Sequence, residues 1–215
     1  MAVVLYGPAY STYTRTARLA LEEKGVAYDL SELDTLAGEG QTAEHLARHP
    51  WGKVPVLQHD GFVLYETVAI TRYVDEAFPG PTLLPGDAKQ RARVAQVCSV
   101  LDSYGWQPMV IVIFVQRVVV PMRGGAPDQR VIAEALPRAE RVLAAVEELM
   151  DGDEFLLGGT LSLADIHLAP ILDYFARAED GRAALARHPR LSAWWERMER
   201  RPSVARTRPS FGEAE

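Results

Sequence analysis

Between positions 53 and 67 the chain sets out Lys53-Val54-Pro55-Val56-Leu57 and then, after an Asp60-Gly61 turn, Leu64-Tyr65-Glu66-Thr67. Read locally, this is a strand, a tight turn, a second strand and a helix that opens at a Glu-Thr pair. The first turn of a helix leaves backbone N–H groups without partners and carries partial positive charge. An anion therefore binds readily at the helix start near Thr67. Glu66 beside it can pair with an ammonium. A carboxylate and an ammonium held together are a free amino-acid end. Pro55 has no N–H to give to a sheet ladder. A proline at a strand start after a bend is also a place for a cis bond. A Glu-Thr pair alone describes only a hairpin and a capped helix; the full ordered set favours a binding site.

A second group of chemically able residues is Tyr6, Tyr10, Ser11, Thr12, Tyr13 and Thr14, which crowd hydroxyls into one segment ahead of Arg15. A hydroxyl that donates to a thiolate favours the charged form, and a helix N-terminus helps further. Ser11 or Thr12 also suits a helix N-cap, and neighbouring hydroxyls can divide the two roles. His45 and His49 lie one helical turn apart, a metal-ligand spacing, but no third ligand is evident and the pair reads as a solvated helix face. His59, His167 and His188 form no cluster. Cys98 falls on an apolar helical face and reads as a core residue rather than a reactive thiol.

The elements that carry these residues alternate in type over residues 1–78. A strand is predicted over 2–6, a helix over 14–24 ended by Gly25, a strand over 27–33, and a short helix over 42–48. A hairpin over 54–58 and 62–65 follows, then a helix over 66–78. Pro79-Gly80-Pro81 and Pro85-Gly86 punctuate a linker at 79–87. Residues 88–215 read as helix throughout. Val94, Val97, Cys98, Leu101 and Tyr104 keep one helical face, and Pro108 is expected to kink or interrupt it. Ile132, Leu136, Ala139, Leu143, Val146 and Met150 step by four and three, the seam of one helix on another. Pro137 inside that seam predicts a late start or a bend. Ser162 and Asp165 are spaced as a capping box, with Leu161 and Ile166 as a hydrophobic staple.

The 215 residues allow one large domain or two small ones, and the formal net charge of −6 argues against nucleic acid or an anionic membrane as partner. A single cysteine excludes an internal disulfide and any CxxC pair. The N-terminus reads as a strand rather than a signal peptide, and the apolar run over 109–120, broken by Gln116-Arg117, is too short to span a bilayer. A cytoplasmic protein is expected. The Arg-rich end over 182–208, interleaved with Glu196 and Glu199, reads as terminal helices with a solvated face.

Val54-Pro55 with Glu66-Thr67, Ser11 followed by Arg15, and Ser162-Leu163-Ala164-Asp165-Ile166 with Pro170 together resemble the soluble glutathione S-transferases. The likeness spans nearly the whole chain and is closest to the serine-type classes, phi with theta-like features. It implies a thioredoxin-like N-terminal domain (βαβαββα) over 1–78 and an all-α C-terminal domain over 88–215. It implies a cis Pro55, Val54 pairing through its backbone with the cysteinyl unit of glutathione, and Ser11 as the catalytic hydroxyl. Tyr6 remains the rival, because tyrosine-type classes use a strand tyrosine there. Lys53 would meet the glycine carboxylate; lysine is the theta-like residue, glutamine the more usual phi one. Gly38-Glu39-Gly40-Gln41 departs from the basic loop of the family, so Gln41 is left as a hydrogen-bond donor and weaker affinity is expected. Tyr104, Trp106, Met109, Phe114 and Met122 would line an apolar pocket for a small hydrophobic electrophile, with ordinary core packing as the other reading of each. Trp51 matches an aromatic that some classes insert into a partner subunit, or packs over its own hairpin. The resemblance implies a homodimer, glutathione as co-substrate and no metal. Asp165 would be structural. A glutathione-dependent isomerase, lyase or dehalogenase, or a non-catalytic binding module, stands as the alternative on the same scaffold.

Overall fold

The computed structural model describes residues 2–209. The chain divides into two compact units, one built from the residues up to Thr82 and those from Arg201 on, the other from Leu83–Arg200.

The first unit is a four-stranded sheet in the order β2-β1-β3-β4, formed by β1 (Val3–Tyr6), β2 (Asp29–Ser31), β3 (Val56–His59) and β4 (Phe62–Tyr65). β1 runs parallel to β2, with Leu5 opposite Leu30, and antiparallel to β3, with Leu5 opposite Leu57. The β3–β4 hairpin turns at Asp60-Gly61, both at positive φ (46° and 88°), which is the primed-turn geometry that an Asp-Gly pair favours. Between and after its strands run α1 (Thr12–Lys24), α2 (Ala43–Arg48) and α3 (Thr67–Ala77). This is the expected thioredoxin-like βαβαββα order. Gly25 ends α1 in the left-handed region as its position predicted. α1 starts two residues earlier than the apolar pattern indicated, because Ser11 caps it. Lys24 is buried, and its ammonium is satisfied by the Asp75 carboxylate at 3.2 Å and the carbonyls of Asp75 and Pro81, each at 3.0 Å.

Residues beyond Arg200 were expected in the helical domain, but α10 (Pro202–Thr207) belongs to the first unit. Side chains of α1 hold it there. Arg15 Nη2 donates to the Val204 carbonyl at 3.3 Å, and Arg201 donates twice to the Glu23 carboxylate, at 3.0 and 2.8 Å. Ser203 also donates to Glu23. Burial pushes the Glu23 carboxyl up, but the hydrogen bonds from Arg201 and Ser203 and the charges of Arg201 and Arg206 outweigh it and hold it below its usual value. A lowered folded-state pKa gives stability that is present above the unfolded value and lost as pH falls through the folded one. Glu23→Gln is therefore expected to lower stability by about 1 kcal/mol near neutrality, allowing for solvent screening of this half-buried pair. The gap between native and variant melting should close in acid below the ordinary glutamate range. A gap that stays constant with pH would show that the Glu23 charge contributes nothing.

The second unit is all helical. α4 (Ala88–Val100) is capped by Asp87, whose side chain accepts from the N–H groups of Lys89 and Gln90. Val94, Val97, Cys98 and Leu101 are buried as the periodicity required, but Tyr104 is 64% exposed and Gly105 is buried in its stead. The cause is the winding. Over Leu101–Gly105 and Gln107–Val119 the backbone bonds in the wider π manner, for example Trp106 N–H to the Leu101 carbonyl and Val120 N–H to the Val115 carbonyl. A wider turn moves the inner face to Leu101, Gly105, Met109 and Ile113. The segments Ala88–Gly105 and Gln107–Met122 meet at a 48° bend, beside the proline expected to cause one. Among the described residues no single helix is long and apolar enough to cross a membrane.

After α5 (Val120–Met122), α6 (Gln129–Leu149) begins eight residues ahead of Pro137. That proline lies on the exposed face, and Ile132, Ala139, Leu143 and Val146 face inward while Leu136 is half-buried. α7 (Leu163–Arg177) is buried along most of its length and carries the expected capping box at Ser162 and Asp165. α8 (Glu179–Leu185) and α9 (Pro189–Met198) close the unit. Cys98 sits in this core, where burial, with the Asp102 and Asp165 charges adding, pushes its thiol up to about 12. It is not a nucleophile at neutral pH.

Candidate functional site

Ser11 stands at the turn between β1 and α1. Its N–H donates to the Pro8 carbonyl at 3.0 Å, and its Oγ accepts from the Thr14 N–H at 3.3 Å. It is thus the N-cap, which was the plainer reading. The cap uses the oxygen as an acceptor, so the hydroxyl proton is committed to no acceptor among the described residues. Capping and donation to a thiolate are compatible in one hydroxyl. The rivals are engaged elsewhere. Tyr6 OH donates to Gln58 at 3.0 Å, with the Arg48 guanidinium 4.3 Å over its ring, and Tyr10 OH is paired with Thr35 Oγ1 at 3.2 Å. Thr12 is buried. The Ser11 turn is also tied by the Ala9 N–H, which donates to the Glu32 carboxylate at 3.2 Å.

Gly7 brings that turn against the second half of the site. It has φ of 146°, and a Cβ there would come within 2.4 Å of Thr14 Oγ1 and 3.2 Å of Val54 Cβ. Only a residue without a side chain lets the turn lie on Val54. The Val54–Pro55 peptide is cis. Lys53, just before it, is exposed and its ammonium makes no ion pair among the described residues.

Glu66 follows β4 at φ 71° and ψ 116°, one of two non-glycine residues with positive φ among those described. Its carboxylate makes no capping bond, and no acidic residue fills the first turn of α3. The N–H groups at the start of α3, beside the buried Thr67, therefore stay open to an anion. Gln41 packs on the loop before Lys53: a Cβ on Gly52, itself at φ 61°, would meet the Gln41 amide nitrogen at 2.3 Å. In the first unit Ser11, Glu66 and Thr67 stand on the two turns that follow β1 and β4, Lys53, Val54 and Pro55 on the loop leading into β3, and Gln41 at the end of the short turn Glu39–Gln41 ahead of α2, packed on that loop.

His45 and His49 are not on a solvated face. They are 1% and 3% exposed, which corrects that expectation. His45 Nε2 lies 2.8 Å from the Lys53 carbonyl, and the His49 ring lies 4.6 Å from that of Tyr65. Burial lowers the basicity of His49; the Glu66 charge opposes this, while His45 and Lys53 add to it, so Lys53 and Glu66 flank the same imidazole. A helix of six residues is too short to display a period, so the sequence offered no signal of which face these histidines occupy. No third metal ligand joins them among the described residues. Trp51 is 63% exposed, with its ring edge-on to Tyr65 at 5.9 Å.

In the helical unit, Tyr104 and Met122 are 64% and 52% exposed and Trp106 is half-buried. Met109 is fully buried, and Phe114 is stacked on Tyr174 with ring centres 4.7 Å apart, so these two are core side chains. An open hollow of about 570 Å³, lined by Glu22, Val26, Tyr28, Leu30 and Arg206 among others, shares no residue with the Ser11–Glu66 group.

Comparison with known proteins agrees with this geometry. Residues 5–82 match the glutathione S-transferase N-terminal domain, and residues 91–202 match the glutathione S-transferase C-terminal domain. Glutathione S-transferase 4 of Zea mays is 35% identical over 94% of this chain and 90% of its own length. The crystal structure of glutathione transferase F7 from Populus trichocarpa superimposes with a TM-score of 0.83 at 31% identity, covering 96% of this chain and 97% of that one. Glutathione S-transferase I from mais, solved in complex with an atrazine glutathione conjugate, gives a TM-score of 0.82 at 32% identity and covers 96% of each chain. The chain belongs to the glutathione S-transferase family, alongside plant F-type members, and its catalysis is that of a transferase that activates the thiol of glutathione.

Proposed function

We propose that this chain joins glutathione to a small apolar electrophile, with Ser11 donating its hydroxyl proton to the cysteinyl thiolate. The carrying observation is the Ser11 hydroxyl itself. It accepts from the Thr14 N–H, its proton is committed to no acceptor among the described residues, and it follows the Gly7 backbone that lies close on Val54. The backbone of Val54 takes the cysteinyl unit. Glu66 pairs with the glutathione ammonium, and Thr67 with the open start of α3 takes the neighbouring carboxylate. Lys53 and Gln41 take the glycine carboxylate. The thiolate then displaces a leaving group from an electrophilic carbon or reduces a peroxide. Of the side chains that the resemblance implies for the apolar substrate, Met109 and Phe114 are spent on the core of the helical unit, whereas Tyr104, Trp106 and Met122 are not fully buried. The working state is a homodimer, a reading supported by the exposed Trp51 and by Phe62, 50% exposed on β4. A sedimentation mass of a single chain would remove that part.

Glu66 gives the test, because its two properties pull apart. A non-glycine residue at φ 71° carries backbone strain of about 1 kcal/mol or more. Glu66→Gly relieves that strain and deletes the carboxylate. The variant is expected to melt no lower than the native chain, while its glutathione affinity in calorimetry falls about tenfold or more. Unchanged affinity in the variant would refute the ammonium contact, and no binding by the native chain would refute the proposed site.

A further inference from the structure

We propose that His45 is a positioning residue for glutathione: its ring holds the Lys53 carbonyl and thereby aims the Val54 N–H at the peptide. This rests on the reading of Lys53-Val54-Pro55 as the glutathione segment. Lys53 O and Val54 N–H belong to one planar trans peptide, so they point in opposite directions. Fixing the carbonyl on one side fixes the N–H on the other. His45 Nε2 is 2.8 Å from that carbonyl, and a carbonyl only accepts, so Nε2 is the donor.

His45 is itself well anchored. Its own N–H donates to Thr42 Oγ1 at 3.3 Å, its carbonyl accepts from the His49 N–H at 2.9 Å, and its ring is stacked with His49. The segment it restrains is otherwise a loop that turns through Gly52 at positive φ, with the exposed Trp51 at its tip.

Packing alone does not explain an imidazole here. His45 is 1% exposed, and its Nδ1 is buried with no hydrogen-bond partner. An apolar ring would fill the same space without that unmet atom and its cost. The feature that an imidazole adds is the Nε2–H bond to Lys53.

The test titrates glutathione calorimetrically into the native chain and into His45→Phe, His45→Gln and His45→Asn, and follows the thiol ionisation of bound glutathione in each. His45→Phe is expected to weaken binding about three- to tenfold, the worth of one hydrogen bond. The bound thiol should titrate as in the native chain, because Ser11 sets it. Glutamine carries an amide N–H to the place of Nε2 and should stay within about twofold of native affinity. Asparagine is one carbon shorter and should resemble phenylalanine. If phenylalanine prevents folding, the glutamine–asparagine pair decides. Equal affinity in all variants overturns the proposal, and so does an equal loss in glutamine and asparagine, which would leave only packing. A native chain that does not bind glutathione overturns the segment reading itself, before any His45 variant is compared.

Discussion

Removing the Ser11 hydroxyl is expected to raise the pKa of bound glutathione thiol back toward about 8.5 and to lower kcat about a hundredfold. The reasoning starts from the free thiol, which is mostly protonated at neutral pH. Each unit by which an enzyme depresses that pKa is about 1.4 kcal/mol of preference for the thiolate. On the proposed reading the preference has two local sources: the Ser11 hydroxyl and the positive end of the α1 dipole. The difficulty is that Ser11 is also the N-cap, bonded to the Thr14 N–H. Alanine would remove both roles and cost about 1 kcal/mol of stability. Glycine removes the hydroxyl but preserves most of the cap, at a few tenths of a kcal/mol. If the hydroxyl acts on the thiolate, Ser11→Gly and Ser11→Ala lose activity alike while only alanine lowers the melting temperature appreciably. The readout is the thiolate ultraviolet absorbance of bound glutathione against pH. Tyr6→Phe should leave that titration unmoved, because its hydroxyl already donates to Gln58. A titration unchanged in Ser11→Gly, or shifted in Tyr6→Phe, sinks the assignment to Ser11.

What the sequence made legible was whatever is decided within a few residues. The Asp60-Gly61 turn, the Gly25 stop and the Ser162–Asp165 capping box are local chemistry, and each stands where it was read. The ordered Val54-Pro55 and Glu66-Thr67 set was legible because strand, turn and helix start follow one another without interruption. Three things were not. Tyr104 was placed on one helical face with Val94, Val97, Cys98 and Leu101 by extending a 3.6-residue period through a stretch that winds more widely, and no residue type announces that change. His45 and His49 were assigned to water because their helix, Ala43–Arg48, shows no periodicity against which to judge them. The end of the chain was assigned to the helical unit because it follows it. Its docking depends on Arg201 and Glu23, separated by 178 positions, and pairs at that distance leave no pattern in one sequence. The same divide runs through the site. Residue types pointed to a ligand end, while the packing of Gly7 on Val54 and the bond of the His45 ring to the Lys53 carbonyl emerged only in three dimensions.

Asp165→Ala is expected to cost the helical unit about 3–5 kcal/mol, far more than a helix cap alone. Asp165 has no exposed surface and accepts four hydrogen bonds. Oδ1 takes the Leu156 N–H and the Trp194 Nε1–H, both at 2.8 Å; Oδ2 takes the Ser162 N–H at 2.9 Å and the Ser162 hydroxyl at 2.7 Å. One side chain therefore joins the start of α7 to α9 and to the loop at Leu156. Alanine leaves those donors buried, and each buried donor without an acceptor costs about 1 kcal/mol or more. The Ser162 hydroxyl can turn away, but the two backbone N–H groups and the indole cannot. Ser162→Ala removes only the hydroxyl and should cost about 1 kcal/mol. Asparagine separates charge and shape from donor–acceptor balance. It fits the space, but one of its two positions is an NH₂ that would face two donors, so Asp165→Asn should lose nearly as much as alanine. Urea or thermal unfolding of the three variants measures this. An Asp165→Ala loss no larger than that of Ser162→Ala would reduce Asp165 to an ordinary cap. A near-native Asp165→Asn would show that the four donors do not need two acceptor oxygens, and the account of Asp165 as the junction of these segments would fail.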